Sequence, residues 1–129
     1  MTRVLVVGYD PDAVDFSDPA LPPGLDAGKV MAGIEASLAA MRARGWDVAP
    51  CLVRPDATAV PMLEAALAAA PCDCVVIGAG VRLPPKSLPL FEALINAVHR
   101  AAPGAAIAFN TRPEDTAEAA ARWVQRGSP

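Results

Sequence analysis

The chain has 129 residues, of which 53% are apolar and 19% are charged, and its formal net charge is −3. This length fits one domain, so we expect residues 1–129 to form a single unit. Intrinsic disorder is excluded because so apolar a chain can offset its ordering entropy by burial. A transmembrane helix is excluded because no apolar run approaches the ~20 residues that span a bilayer. The mild acidity disfavours nucleic acid and anionic membrane surfaces as partners, since both select clustered Lys and Arg.

Cysteine usage predicts a reducing compartment. The three cysteines, Cys51, Cys72 and Cys74, make an odd number, and the N-terminal apolar stretch is too short for a signal-peptide core. The one histidine, His99, leaves too few further ligands for a zinc site. We therefore predict a cytoplasmic protein without a bound metal, in which the cysteines are small buried hydrophobes.

Four short apolar runs alternate with four helical patterns along the chain. The runs lie at residues 4–8, 46–53, 74–78 and 105–109, and the helical patterns lie at residues 29–44, 58–70, 87–102 and 111–126. In the first helix Val30, Ile34, Leu38 and Met41 repeat at the spacing of one helix face. Thr58 is expected to cap the second helix. Residues 111–114 (TRPE) form a capping-box pattern that starts the last one.

Strict alternation of strand and helix predicts a parallel sheet with helices on both faces. Pro50 cannot donate to a strand ladder, so the second strand belongs at an edge. The first and third strands are the most continuously apolar and belong at the centre. Both constraints are satisfied by a four-stranded sheet of order 2-1-3-4, which predicts a three-layer, doubly wound α/β fold.

This order leaves the fourth strand at the other edge of the sheet. Residues 105–109 contain neither a charge nor a proline, which normally protect such edges. We therefore predict a homodimer in which a second copy of the chain covers the fourth strand or the helices beside it. Trp123, on the last helix, is a candidate for this contact.

The segment from Gly8 to Gly28 is unusually long for a connection between strand and helix. Its prolines stiffen it and Phe16 could pin it to the body of the domain, which predicts an ordered lid. The segment is also rich in aspartate, but the spacing fails the EF-hand pattern because Val14 replaces an acidic ligand. Turn and capping aspartates are therefore expected there.

Polar and basic residues collect where the central strands end. In a doubly wound sheet, ligands bind beyond the carboxyl ends of the strands, here between the first and the third. The predicted site would hold a small anionic ligand, with charge from three basic residues, hydrogen bonds from side chains after the fourth strand, and close approach of glycine backbone. The candidate ligand-binding residues are Tyr9, Asp10, Gly78, Gly80, Arg82, Lys86, Asn110, Thr111 and Arg112.

Two other functions are compatible with the same sequence. The domain could be a protein-interaction module that works through its uncovered edge and last helix. It could also be a hydrolase or transferase that uses Asp10 and Arg82. No nucleophile is placed beside a base by any local motif, so catalytic residues and cofactors stay unassigned.

Several stretches carry a resemblance to known domains. Over nearly its whole length the chain resembles flavodoxin-like and receiver-type single domains, with Asp10 and Asp12 after the first strand and Thr111 after the fourth. It departs from receivers at Gly78, where they carry the phosphate-accepting aspartate, and residues 8–28 lack the Ser/Thr-rich phosphate loop of flavodoxins. The stretches VGYDPDAVDFSDPALPPG, VVIGAGVRLPP and AFNTRPEDTAEAA resemble a group of short bacterial proteins of uncharacterised function, which implies a fold but no activity.

Overall fold

The computed structural model describes residues 1–19 and 21–124, and within them the chain forms four strands and five helices. The strands are β1 (Arg3–Tyr9), β2 (Asp47–Val53), β3 (Cys74–Ile77) and β4 (Ala106–Phe109). The helices are α1 (Ala27–Arg42), α2 (Ala59–Ala69), the one-turn α3 (Ala79–Arg82), α4 (Leu88–Ala101) and α5 (Thr116–Val124). The predicted continuation of the last helix to Arg126 lies outside the described residues.

The strands form one parallel sheet of order β2-β1-β3-β4, which confirms the order predicted from the sequence. Val7 in β1 lies opposite Cys51 of β2 on one side and Ile77 of β3 on the other. Strand β2, which contains Pro50, is at an edge as expected. The carboxyl ends of β1 and β3 are therefore neighbours.

Helices cover both faces of the sheet, because side chains alternate along each strand. Leu5 and Val7 pack with Leu63 of α2 and Leu94 of α4 on one face. On the other face, Val4 and Val6 pack with residues of α1 and α5 such as Met41 and Ala120. This arrangement gives the predicted three layers, of the flavodoxin-like kind.

The starts of α2 and α5 differ in detail from the expected caps. The side chain of Thr58 makes no capping bond, because its backbone is already helical (φ −83°, ψ −14°). The carboxylate of Asp56 instead accepts hydrogen bonds from the Thr58 amide (2.9 Å) and hydroxyl. Before α5, Asp115 rather than Glu114 closes the predicted box, since its carboxylate accepts from the Thr111 amide at 2.9 Å and from the Thr111 hydroxyl.

The two central strands approach each other closely where β3 ends. The amide of Gly78 donates to the carbonyl of Val7 at 2.8 Å. A Cβ atom on Gly78 would lie 3.2 Å from the same oxygen, whereas one on Gly80 would meet nothing within 4 Å. A side chain on Gly78 would therefore crowd this contact, whereas one on Gly80 would not.

We expect Gly78→Ala to lower the free energy of unfolding by about 1–3 kcal/mol, because the added methyl group would crowd the Val7 carbonyl oxygen and the two strands would have to shift apart. Gly80→Ala, two residues later in α3, should instead be neutral or stabilise by up to about 1 kcal/mol by restricting the unfolded chain. Urea denaturation of the two variants and the wild type measures both effects. Equal stability of the two variants would show that the contact does not constrain the sheet.

Candidate functional site

A cavity of about 400 Å³ lies at the carboxyl ends of β1 and β3. It forms there because β1 leads to α1 on one face of the sheet and β3 leads to α4 on the other. Its walls accordingly combine Val30 and Ile34 of α1 with Pro84 and Ser87 of the connection between β3 and α4. The cavity is at the position that the sheet order predicted.

A roof over this cavity is formed by residues 10–26, of which all but Ala20 are described. We call this segment the roof loop. Val14, Leu21 and Leu25 line the cavity from the loop side. Phe16 was expected to pin the loop, and this expectation is wrong: the side chain is 38% exposed. The reason is a turn in which Asp15 accepts a hydrogen bond from the Ser17 amide at 3.0 Å, which leaves Phe16 at the tip of the turn.

Two ion pairs fasten the roof loop to the connection between α3 and α4. The ammonium group of Lys86 lies 2.5 Å from a carboxylate oxygen of Asp15 and 3.4 Å from one of Asp18. The hydrogen bond from Lys86, together with those from Ser17, lowers the pKa of Asp15 to about 2. The same contact raises the pKa of Lys86. All three charged side chains line the cavity, so its one lysine faces two carboxylates.

The structure brings five of the nine predicted site residues to the cavity and leaves four outside its lining. Those that line it are Tyr9, Gly78, Gly80, Lys86 and Asn110. Of the others, Asp10 pairs with Arg54 at 3.6 Å, and Arg112 pairs with Glu114 at 3.4 Å. Thr111 is held by Asp115, as described for the start of α5.

Arg82, the fourth residue outside the lining, turns towards β4. Its guanidinium group donates to the backbone carbonyl of Asn110 and lies 5.3 Å from the centre of the Phe109 ring. Asp10 and Arg82, the pair expected in a hydrolase or transferase, thus contact different partners. The guanidinium group of Arg82 therefore binds the end of β4 and does not face the cavity.

The side chain of Asn110 connects neighbouring elements at the cavity wall. Its side-chain oxygen accepts from the Ala79 amide at 2.8 Å, and its nitrogen donates to the Thr116 hydroxyl at 2.9 Å. The side chain therefore joins the end of β4 to the beginnings of α3 and α5. The residue is buried, which strengthens such bonds.

Several lining residues were not predicted as site residues. Val30 and Ile34 share a helical stripe with Leu38 and Met41, yet only the last two are buried in the core. Helix α4 begins directly after Ser87, as predicted, and the Ser87 hydroxyl lies 2.7 Å from the hydroxyl of Tyr9. No sequence signal separates a stripe that faces a core from one that faces a cavity.

The cysteines are unsuited to nucleophilic chemistry. Burial raises the pKa of the Cys51 thiol and raises that of Cys74 to about 12, so both stay protonated at neutral pH. Burial also raises the pKa of Cys72. Among the described residues, no group of three or more His, Cys, Asp and Glu side chains is arranged to hold a metal ion.

Comparison of the chain with protein family models, with curated proteins and with solved structures finds no match. Within residues 1–19 and 21–124, no helix combines the length and the apolar character needed to cross a membrane. The cavity and the residues around it are therefore the basis of the function proposed below.

The ion pairs of Lys86 predict a specific pH dependence of stability. Because the pKa of Asp15 is lowered from 3.8 to about 2 in the folded state, its contribution is present above about pH 4 and is lost as the pH falls towards 2. Lys86→Met should therefore flatten the decline of stability in this window, as measured by urea denaturation. Lys29→Met is the matched control, since Lys29 donates to the Gly24 carbonyl of the same loop at 2.7 Å. An identical decline in the wild type and Lys86→Met would contradict the assignment.

Proposed function

We propose that this domain binds a small, largely apolar and uncharged molecule in the cavity beneath the roof loop. The observation that carries the proposal is the composition of the wall. Aliphatic side chains and prolines dominate it, and they come from α1, β2 and the roof loop together. Its volume of about 400 Å³ lies within the range typical of small-molecule sites, which are mostly apolar with a few polar groups.

The partners of the basic residues favour an uncharged ligand over the anion expected from the sequence. Lys86 is paired with two carboxylates of the same wall, which leaves the charged groups there one negative charge in excess. Neither Arg82 nor Arg112 lines the cavity: Arg82 donates to the Asn110 carbonyl, and Arg112 pairs with Glu114. An entering anion would have to displace carboxylates from Lys86, whereas an apolar molecule would leave the pairs intact.

Binding, rather than catalysis, is what the wall supports. Asp10 and Arg82, the pair expected in a hydrolase or transferase, lie outside the lining and contact other protein groups. The charged groups that do line the cavity, Lys86 with Asp15 and Asp18, are paired with one another. We also propose that the protein works in the cytoplasm. The three cysteines are free, which suits a reducing compartment.

N-phenyl-1-naphthylamine, an uncharged dye that fluoresces in apolar surroundings, tests the proposal. We expect the wild type to bind one dye molecule, and Gly8→Val to weaken binding at least about tenfold by filling the cavity. Gly8 lines the cavity, and a Cβ atom there would meet only Leu52, at 4.0 Å, so valine should fit this strand without loss of stability. Fluorescence titration measures the affinity, and thermal unfolding checks the fold.

Ala36→Val is the control for the dye experiment, because it adds the same side chain on the exposed side of α1. It should bind the dye as the wild type does. The sulfonated dye 8-anilinonaphthalene-1-sulfonate is the anionic comparison and should bind more weakly than the uncharged dye. Preference for the sulfonate, or unchanged binding in Gly8→Val, would count against the proposal.

We also propose that the chain forms a homodimer in which a second copy packs beside β4. A group of exposed apolar residues supports this proposal. Leu83 and Leu88 are each 58% exposed, and Phe109, at the end of β4, is 38% exposed. The edge itself is partly closed, because Arg122 donates to the Phe109 carbonyl at 3.0 Å and Arg82 donates to that of Asn110. The side chains beside the edge therefore suit a partner better than the strand does.

Sedimentation velocity over a range of concentrations tests this contact. We expect the wild type to form dimers, and Leu88→Lys to shift the protein to monomers by placing a charge in the apolar contact. Met62→Lys, an exposed apolar position on α2, should dimerise as the wild type does. A wild type that stays monomeric at every concentration would refute the dimer.

A further inference from the structure

Two hydroxyl groups meet in the wall of the cavity. The phenol oxygen of Tyr9, the last residue of β1, lies 2.7 Å from the hydroxyl oxygen of Ser87, which precedes α4. Both residues line the cavity, and Ser87 is only 3% exposed. The two groups come from positions 78 residues apart, so the fold itself assembles them.

Ser87 stands where a serine usually caps a helix, and it does not do so. A capping serine accepts a hydrogen bond from an amide of the first helical turn and has an extended backbone. Ser87 has helical backbone angles (φ −85°, ψ −5°) because the turn Pro85–Ser87 precedes the helix, and its side chain makes no capping bond. Its hydroxyl is therefore available to Tyr9 and to the cavity.

The hydroxyl pair has one hydrogen more than it uses. Each hydroxyl carries one hydrogen, and the bond between them uses one of the two. Among the described residues, the hydroxyls of Tyr9 and Ser87 have only each other as hydrogen-bond partners. The remaining hydrogen has no acceptor among the described residues and is available to a molecule in the cavity.

The other hydroxyl groups of the wall already donate their hydrogens to the protein. Ser37 donates to the Ile34 carbonyl at 2.8 Å, and Thr116 donates to the Pro113 carbonyl at 2.8 Å while it accepts from Asn110. Among the hydroxyl groups of the wall, the pair of Tyr9 and Ser87 is thus distinguished by a donor hydrogen without a partner among the described residues.

We infer that the Tyr9–Ser87 pair recognises an uncharged hydrogen-bond acceptor of the ligand, such as a ketone, ester or amide carbonyl, beside an apolar body. This inference rests on the proposed function and specifies the ligand class. A carboxylate could accept the same hydrogen, but it would share the cavity with the carboxylates of Asp15 and Asp18. A neutral carbonyl compound meets no such repulsion.

The inference is tested with 1-tetralone and tetralin, which differ by a carbonyl in place of a methylene group. Their affinities are measured by competition with N-phenyl-1-naphthylamine for the wild type, Tyr9→Phe, Ser87→Ala and the double variant. In the double variant we expect binding of 1-tetralone to weaken about tenfold, the effect of one lost hydrogen bond, and binding of tetralin to change less than about twofold. Each single variant keeps one hydroxyl hydrogen and should keep most of the affinity for 1-tetralone.

The outcomes separate the inference from the proposed function. If the double variant binds the dye normally and loses no affinity for 1-tetralone relative to tetralin, the inference is wrong. The proposed binding of apolar molecules in the cavity is then unaffected. If it loses affinity for both compounds equally, the pair only shapes the wall, and the inference is again wrong. If the wild type binds neither the dye nor either compound, the proposed function fails as well. Thermal unfolding of each variant shows whether the fold is retained.

Discussion

The contact between β1 and β3 at Gly78 is the constraint on which the site depends. A backbone hydrogen bond from Gly78, directly after β3, to Val7 of β1 holds the two central strands together, and a side chain on Gly78 would crowd it. Beyond this point the chain leaves β1 and β3 towards opposite faces of the sheet, and the space between the two departing segments is the cavity. A looser junction would let the walls move independently, because they are continuous with these strands. The contact between Gly78 and Val7 therefore helps to fix the distance between the two walls of the cavity.

The fold could be predicted from the sequence because its signals are local. Four apolar runs, helical spacing between them and one proline in the second strand were sufficient for the order of the sheet. The position of the site followed from that order. What could not be predicted was which partner each polar side chain would have, because these contacts join distant parts of the chain. Lys86 meets Asp15 across 71 positions, and Arg82 meets the Asn110 carbonyl across 28. A basic residue near a ligand site suggests an anion only while its own partners are unknown.

Helix α1 shows why the site was harder to predict than the core. Its apolar stripe is continuous, but Leu38 and Met41 are buried against the sheet while Val30 and Ile34 face the cavity. The same residue types serve both purposes, since an apolar wall and a core are both surfaces withdrawn from water. The difference arises because a cavity separates the roof loop from the sheet beside the first half of α1. Periodicity predicts which face of a helix turns inward, and the tertiary structure decides what that face meets.

The way in which the roof loop is fastened has a consequence for how such a domain can evolve. The Lys86 side chain is 57% exposed and the Asp15 side chain is 50% exposed, so their ion pair is weak and sensitive to salt. The groups that would discriminate between ligands are different side chains: Tyr9 at the end of β1 and Ser87 directly before α4. In the proposed binding site, ligand exchange and ligand preference would therefore depend on different residues. Substitutions at the Lys86 ion pairs would change the rate of exchange and leave the preference for a ligand class unchanged.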